Sequence, residues 1–483
     1  MLLDYNISSS RDNNSLFGPV DKVALLLYVA IVLIGLLSIT SASYDPEAES
    51  FFSFSHTYMK QVVWIGISWV VATVVLLLDR RLFHMFATPA YVIGIGLLLA
   101  VLLFGREVNG AKAWFEFGGF RVQPVEFVKI ATALMMARVM SDYSFNINRP
   151  IDLLKVAVVI LIPFAIIVLQ NDTGSGLVLG AFLFVFFREG LTKYVYFPVI
   201  FTIFLFVVSL IFQPDVIFTV LLVLFTLYSI LQNGEIVGHV RFLATIFLVA
   251  LLIALLTPLS GYIALMIASS IAAVVLLFFA IKTHTLNLLW TIAMFVYAMI
   301  FVPTSDFLFS NLEPHQQNRI HTFIGMVDDP QNEGYNVKQS EIAIGSGGIF
   351  GKGYLEGTQI RYSFVPEKHT DFIFCVVGEE WGFLGSLIVI SLYVALILRL
   401  MRMGERIKEP FGRVYCYSVA AMLLLHVCVN IGMTIGVMPV MGIPLPLMSY
   451  GGSSLLAFTL LIMIAIRLDA AASDNEMGYG RGY

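Results

Sequence analysis

VALLLYVAIVLIGLLSIT (Val23–Thr40) contains no charged side chain. An apolar run of roughly 18 residues is long enough to cross a bilayer as a helix, because an α-helix rises 1.5 Å per residue. The run follows a polar stretch of twenty residues without a basic leader, so it is expected to be a first span rather than a cleaved signal. Similar runs recur along the chain. Of 483 residues, 59% are hydrophobic and only 12% charged, whereas soluble domains carry about 25% charge. A soluble globule, a disordered chain and a nucleic-acid binder are excluded, and the long runs, which do not alternate, exclude a membrane barrel. The expected fold is all-α: a polytopic helical integral membrane protein.

About fourteen spans are expected, at roughly 22–42, 60–78, 87–104, 124–140, 152–170, 173–189, 194–212, 216–231, 240–257, 261–281, 286–303, 372–400, 411–433 and 450–467. With the N-terminus placed in the cytoplasm, the inner segments hold about 18 of the 28 lysines and arginines. The cytoplasmic tail is then 469–483. The remaining divisions are a cytoplasmic segment 1–21, spans over 22–193, further spans over 194–303, a large extracytoplasmic loop 304–371 and closing spans over 372–468. The loop carries apolar patches such as Ile342–Ile344, which favour ordered structure. Net charge is −4, too small to call for a polyanionic partner. Cys375, Cys416 and Cys428 lack metal spacing and are expected to be small buried hydrophobes.

Polar residues within or beside spans are costly and point to function. In Gln123-Pro-Val-Glu-Phe-Val-Lys129, Glu126 and Lys129 share a helix face; they form either an ion pair holding the bundle or the wall of a charged cavity. In Gln170-Asn-Asp-Thr-Gly-Ser-Gly176, Asp172 either caps the next helix or faces a ligand. Gly345–Gly353 with Lys352 is not a P-loop, since Ser346 and Gly353 occupy the wrong positions; it is either a flexible loop or a backbone nest for a lipid pyrophosphate. Asp371 stands where the polar loop becomes an apolar helix. It is either an N-cap or a general base, because desolvation at such a boundary raises a carboxyl pKa. Glu379 and Glu380 are expected about two turns deeper in the same span, with Lys129 the best available partner. From Asn430 to Ser454, three prolines and three glycines within Pro439–Gly452 preclude regular helix, and irregular backbone at this depth should line a cavity.

The strings QPVEFVK, GYNVKQSEIAIGSGGIFGKG (Gly334–Gly353), FVPEKHTDFIF (Phe364–Phe374), GEEWGFLG (Gly378–Gly385) and GIPLPLMSYGGSS (Gly442–Ser454) resemble the SEDS family (shape, elongation, division and sporulation). The resemblance covers about 20–190 and 310–470 and is nearer the rod-shape branch than the division branch. It implies a peptidoglycan glycosyltransferase that polymerises lipid II on the outer face of the bacterial inner membrane. A class B penicillin-binding protein would supply crosslinking, alongside other elongation-machinery membrane proteins. It implies a catalytic role for Asp371 and substrate contacts at Trp114, Glu126, Lys129 and Arg319. Asp172, Lys352, Lys368, His369, Glu379, Asn430 and Ser449 complete the candidate substrate-binding set. No cofactor is implied with certainty; a divalent cation, Mg or Mn, would suit a leaving pyrophosphate, and its ligands are unassigned. Val125, Asn171 and His315 depart from the usual Ser, Pro and Tyr. Family members commonly have ten spans, so 194–303 reads as an insert of about four. The competing reading is a lipid II flippase, supported by the broken helix at Pro439–Pro446. Against it, polar motifs gather on one side, and most spans lack the polar track that transport needs.

Overall fold

The computed structural model describes residues 20–44, 56–108, 110–117, 120–233, 261–283, 286–312 and 333–479, with isolated residues between them. The chain forms two compact units, Met1–Leu191 with Asp328–Tyr483, and Thr192–Val327.

The first unit begins with α1 (Lys22–Ala42), α2 (Thr57–Leu77) and α3 (Arg80–Phe104). Asp21 caps α1 by accepting from the Ala24 amide, and Asp79 does the same for α3 at Arg81. A three-stranded antiparallel sheet, β1 (Arg106–Val108), β2 (Ala111–Phe117) and β3 (Phe120–Val122), follows. The all-helical expectation missed it because β1 and β3 have three residues each and β2 only seven, too little alternation to register beside long apolar runs. Next come α4 (Pro124–Met140), α5 (Pro150–Leu169), α6 (Thr173–Leu179) and α7 (Phe182–Arg188). Proline at the first position of α4 and of α5 lacks only an N–H that the helix does not use there.

The second unit contains α8 (Lys193–Ile211), α9 (Pro214–Asn233), α10 (Gly261–Thr283) and α11 (Leu286–Ser310). They enclose an apolar core including Leu205, Phe218, Leu222, Ala298 and Val302. Phe225 meets both Phe201 and Phe295 edge to face, the geometry favoured by ring quadrupoles.

The first unit resumes with α12 (Glu333–Ser346), α13 (Thr358–Arg361), α14 (Ile373–Glu380), α15 (Gly382–Arg406), α16 (Pro410–Thr434) and α17 (Gly452–Tyr479). Almost all of α16 and most of α17 are buried, whereas α3 turns much of its apolar surface outward. α16 is therefore the central pillar of this unit.

Among the described residues, eight helices are long and apolar enough to cross a membrane, so the chain is an integral membrane protein. Two of the expected spans are broken, one is found at its expected bounds but short and charged, and one is not described. The 240–257 span lies outside the described residues, apart from isolated positions. The 124–140 span is a helix of 17 residues that buries Glu126 and Lys129. The 173–189 span is two short helices. The 372–400 span breaks at Trp381 and Gly382, where Gly382 has φ +66° and lies against the backbone of Ile349 and Gly351, leaving no room for a side chain. The stretch expected to be one loop over 304–371 is divided: α11 runs through Ser310, the boundary between units falls after Val327, and α12 and α13 occupy its second half. The N-terminal segment is described only from residue 20, and the tail is helical through Tyr479. Cys375 and Cys416 are buried, but Cys428 is exposed on α16, against expectation.

At one set of helix ends the arginines find carboxylates. Asp21 accepts from Arg399 at 2.8 Å and Arg406 at 2.9 Å, and Arg406 also pairs with Asp469. Glu189 pairs with Arg413 at 2.8 Å, Glu409 with Arg80 at 2.7 Å. Asp21 and Asp469 are buried, so this cluster ties α1, α15 and α17 together more firmly than exposed pairs would.

Gly35 of α1 lies where a Cβ would come 2.6 Å from Met448 Cα. Gly35→Val should therefore force the helix off that segment and lower stability by about 1–3 kcal/mol, read as a drop in melting temperature in detergent; an unchanged melt would show that the contact yields freely.

Candidate active site

The stretch from Gly436 to Gly451 has no helix or strand. From Ile443 onward much of its backbone is nonetheless hydrogen-bonded, as a membrane setting favours. Asn430 Nδ2 donates to the Ile443 carbonyl at 2.8 Å, and His426 Nδ1 lies 3.4 Å from the Pro444 carbonyl. The Leu445 carbonyl accepts from the amides of Met448 and Ser449, and the Pro446 carbonyl from the Tyr393 hydroxyl at 2.5 Å. Four successive carbonyls thus have donors from α15, α16 or the segment itself. Ser449 Oγ accepts from the Leu445 amide at 2.8 Å, and the Gly451 amide reaches Gln61 Oε1 at 3.4 Å.

The same donors seat Asp371. Asn430 Nδ2 donates to the Asp371 carbonyl at 2.8 Å, Ser449 Oγ to the Thr370 carbonyl at 2.6 Å, and the Tyr450 amide to the His369 carbonyl at 2.8 Å. The side chain of Asp371 is half-buried, with Oδ2 3.7 Å from the point where a Cβ on Gly442 would stand. Gly442 has φ +63°, so glycine suits both the turn and the approach. Asp371 does not cap α14, whose N-cap is Phe372 with no side-chain bond. The His369 ring is tilted against Tyr450 at 5.9 Å. Burial lowers its pKa, favouring the neutral imidazole.

Behind the irregular segment lies a buried charged group. Lys129 Nζ donates to Glu126 Oε1 at 2.9 Å, lies 3.1 Å from His426 Nε2 and sits over the Phe458 ring at 5.2 Å. Both charged residues are almost fully buried. Glu126 Oε2, Thr132 Oγ1 and Asn430 Oδ1 are buried without a hydrogen-bond partner among the described residues. Such atoms ordinarily meet water or ligand. His426 joins this group although no sequence motif flagged it; its place one turn before Asn430 on α16 is the signal that was available.

Asp172 caps α6 through the Ser175 amide at 3.1 Å and accepts from Gln123 Nε2 at 2.9 Å. Gly174, two residues on, lies against the Met441 carbonyl with no room for a Cβ. The start of α6 thus abuts the irregular segment. Trp114 is half-buried in β2, opposite Arg106. Arg319 is half-buried in a helical stretch of the second unit. His315 lies outside the described residues.

Lys352, Lys368 and Glu379 form a different construction. Glu379 is wholly buried and accepts from Lys352 Nζ at 2.6 Å, the Gln359 amide at 2.9 Å, the Ile360 amide at 3.1 Å and Thr358 Oγ1 at 3.2 Å. The partner of Glu379 is therefore Lys352, not Lys129, and Glu380 meets Ser41. Lys129 was the expected partner only because a continuous span placed the carboxylates deep; the break at Gly382 leaves them against α13 and the loop before it. The glycine turn is neither a loose loop nor an open nest. The amides of Lys352 and Gly353 donate to the carbonyls of Glu379 and Glu380, and Gly347 and Gly351 leave no room for side chains against that backbone. Lys368 donates to the Ile360 carbonyl and to Ser363 Oγ, and burial lowers its pKa. Glu379 thus anchors α13, and α13 anchors the residues leading to Asp371. Glu379→Ala should destabilise the fold by about 3–5 kcal/mol, as breaking a buried pair does, and speed hydrogen exchange at the Gln359 and Ile360 amides. Unchanged exchange at both would remove Glu379 as the anchor.

An irregular segment, hydrogen-bonded to α15 and α16 from Ile443 onward and lying beside a half-buried carboxylate, defines a polytopic membrane protein with a polar site among its helices. A family model described as "Cell cycle protein", covering FtsW, RodA and SpoVE, matches residues 21–219 and 207–474, and the chain belongs to that family, the one its motifs resemble. It is 34% identical over 438 residues to the peptidoglycan glycosyltransferase RodA of Treponema pallidum, covering 90% of this chain and 94% of that one. It is 31% identical over 436 residues to the peptidoglycan glycosyltransferase MrdB of Escherichia coli K12, covering 90% of each. A chain from a peptidoglycan synthase complex, described as coordinating polymerization and crosslinking, aligns with TM-score 0.60 and 25% identity over 94% of this chain and 98% of that one. The rod shape determining protein RodA of Thermus thermophilus shares the fold, with TM-score 0.54 and 23% identity over 93% of this chain and 97% of its own.

Proposed function

We propose that this glycosyltransferase polymerises lipid II into peptidoglycan strands on the outer face of the bacterial inner membrane, with both termini cytoplasmic, during cell elongation. A sugar hydroxyl of one lipid-linked disaccharide attacks the anomeric carbon of the growing lipid-linked glycan strand. The new glycosidic bond forms as the bond to undecaprenyl pyrophosphate breaks, so the anomeric configuration inverts. Asp371 takes the hydroxyl proton. The observation that carries this reading is the seating of Asp371: three main-chain bonds fix residues 369–371 against the irregular segment, so the carboxylate is held in place before substrate arrives. Prior fixation of a base removes reorganisation from the barrier.

Trp114 offers a flat face to a sugar. Lys129, Lys352 and Lys368 are each already engaged within the protein, so positive charge for the leaving pyrophosphate would come chiefly from a divalent cation. Magnesium or manganese is commonly held by one or two carboxylates plus substrate phosphates. Among the described residues no three metal-binding side chains converge, so an ion here would be held mainly by the substrate's own phosphates. Such an ion would stabilise charge on the leaving pyrophosphate. The partner is a class B penicillin-binding protein that crosslinks the strands, together with other elongation-machinery membrane proteins and the surrounding lipids.

Purified protein, alone and with its transpeptidase partner, is expected to convert lipid II into glycan polymer visible on a gel. Absence of polymer under both conditions, with lipid II crossing vesicle membranes whether or not Asp371 is present, would replace this reading with transport.

A further inference from the structure

We propose that His426 is a positioning residue for the reaction at Asp371, acting through the main chain at Pro444 rather than by touching substrate. The inference rests on the glycosyltransferase reading above and extends it to a residue that no motif marks.

His426 is 1% exposed and lies on α16 one turn before Asn430, on the same face. Its Nε2 is 3.1 Å from Lys129 Nζ. An ammonium group can only donate, so Nε2 accepts and the neutral ring carries its proton on Nδ1. That proton faces the Pro444 carbonyl at 3.4 Å. The Phe458 ring meets the imidazole edge to face at 4.9 Å and 89°, which fixes the plane of the ring. The imidazole is held on three sides, and its tautomer is set by Lys129, whose other partner is Glu126.

Pro444 occupies the middle of the segment that confronts Asp371. The carbonyl before it is held by Asn430, which also holds the Asp371 carbonyl. The amide after it is held by Ser449, which also holds the Thr370 carbonyl. Gly442, two residues earlier, approaches the Asp371 carboxylate. His426 therefore links the buried Glu126–Lys129 pair to the backbone that sets where Asp371 stands. Removing the link leaves a buried ammonium donor and a buried carbonyl without their partner, and both relax toward other contacts. Misplacement of about 1 Å at a reacting group costs up to about a hundredfold in rate.

The test uses the full chain with its transpeptidase partner, lipid II as the probe, and three variants. His426→Phe keeps ring volume and loses both bonds. His426→Gln keeps an acceptor and a donor on one amide. His426→Asn is polar but too short to reach both partners. His426→Phe is expected to lower kcat by about tenfold to a hundredfold while KM for lipid II moves less than about threefold, the signature of lost positioning rather than lost binding. His426→Gln should recover most of kcat, and His426→Asn should fall between them. Rates are taken per folded molecule, from melts recorded in parallel, so a merely structural role would leave kcat per folded molecule at the wild-type value. Should His426→Phe not fold, the Gln and Asn pair carries the same comparison. Wild-type kcat in the folded variants, or His426→Gln as slow as His426→Asn, overturns the proposal. Absence of polymer with the wild-type protein overturns the function reading instead, so the two failures are distinct.

Discussion

Asp371→Asn is expected to reduce glycan polymerisation by about a hundredfold to ten-thousandfold, the range a positioned general base contributes. The variant isolates chemistry from folding. The bonds that seat residue 371 run through main-chain carbonyls of His369, Thr370 and Asp371, and asparagine leaves every one of them in place. Its amide matches the carboxylate in shape but cannot accept a proton from a sugar hydroxyl. Expression, melting temperature and binding of the transpeptidase partner should stay at wild-type values while polymer disappears from the gel. A variant that polymerises at the wild-type rate would show that the hydroxyl loses its proton elsewhere.

The second large effect is expected at Lys129. Lys129→Met keeps much of the side-chain volume but leaves Glu126 buried without its ammonium partner. Glu126 Oε2 already lacks a protein partner among the described residues, so the carboxylate would have neither a counter-charge nor enough donors. Breaking a buried pair from one side costs about 3–5 kcal/mol. This should appear as a large fall in melting temperature together with loss of polymer. Adding Glu126→Gln should restore much of the stability, because a neutral amide needs no counter-charge, while activity stays low. A single variant as stable as wild type, or a double variant less stable than the single, would show that the pair does not hold this part of the bundle.

The two variants separate the two levels of the site. Asp371 is seated by the irregular segment and, in the proposed mechanism, takes the proton. Glu126, Lys129 and His426 lie behind that segment and fix it. Glu379 and Lys352 perform a comparable task on the other side, through α13 and Lys368. In that mechanism, charged residues that read alike in sequence divide into one at the reaction and several that hold it there.

The sequence alone determined the class of fold. Uncharged runs of spanning length exclude water-soluble architectures, and polar motifs grouped in a few places marked Asp371, Glu126, Lys129 and Asn430 as candidates. Proline and glycine between Met438 and Gly451 also announced a break in helix, since neither residue sustains it. These signals are local, and a linear sequence carries local signals well. Tertiary structure alone decided the pairings. Glu379 lies closer in sequence to Lys352 than to Lys129, but distance along the chain ranked neither partner. The choice fell to the positive φ at Gly382 and to backbone contacts with Gly347 and Gly351, which bring the loop onto the end of α14. His426 was silent in the sequence because a single histidine on an apolar helix carries no spacing pattern. Only the approach of α4 to α16, and of α16 to Pro444, gives it partners, because hydrogen-bond chemistry depends on ångström distances that sequence separation does not encode.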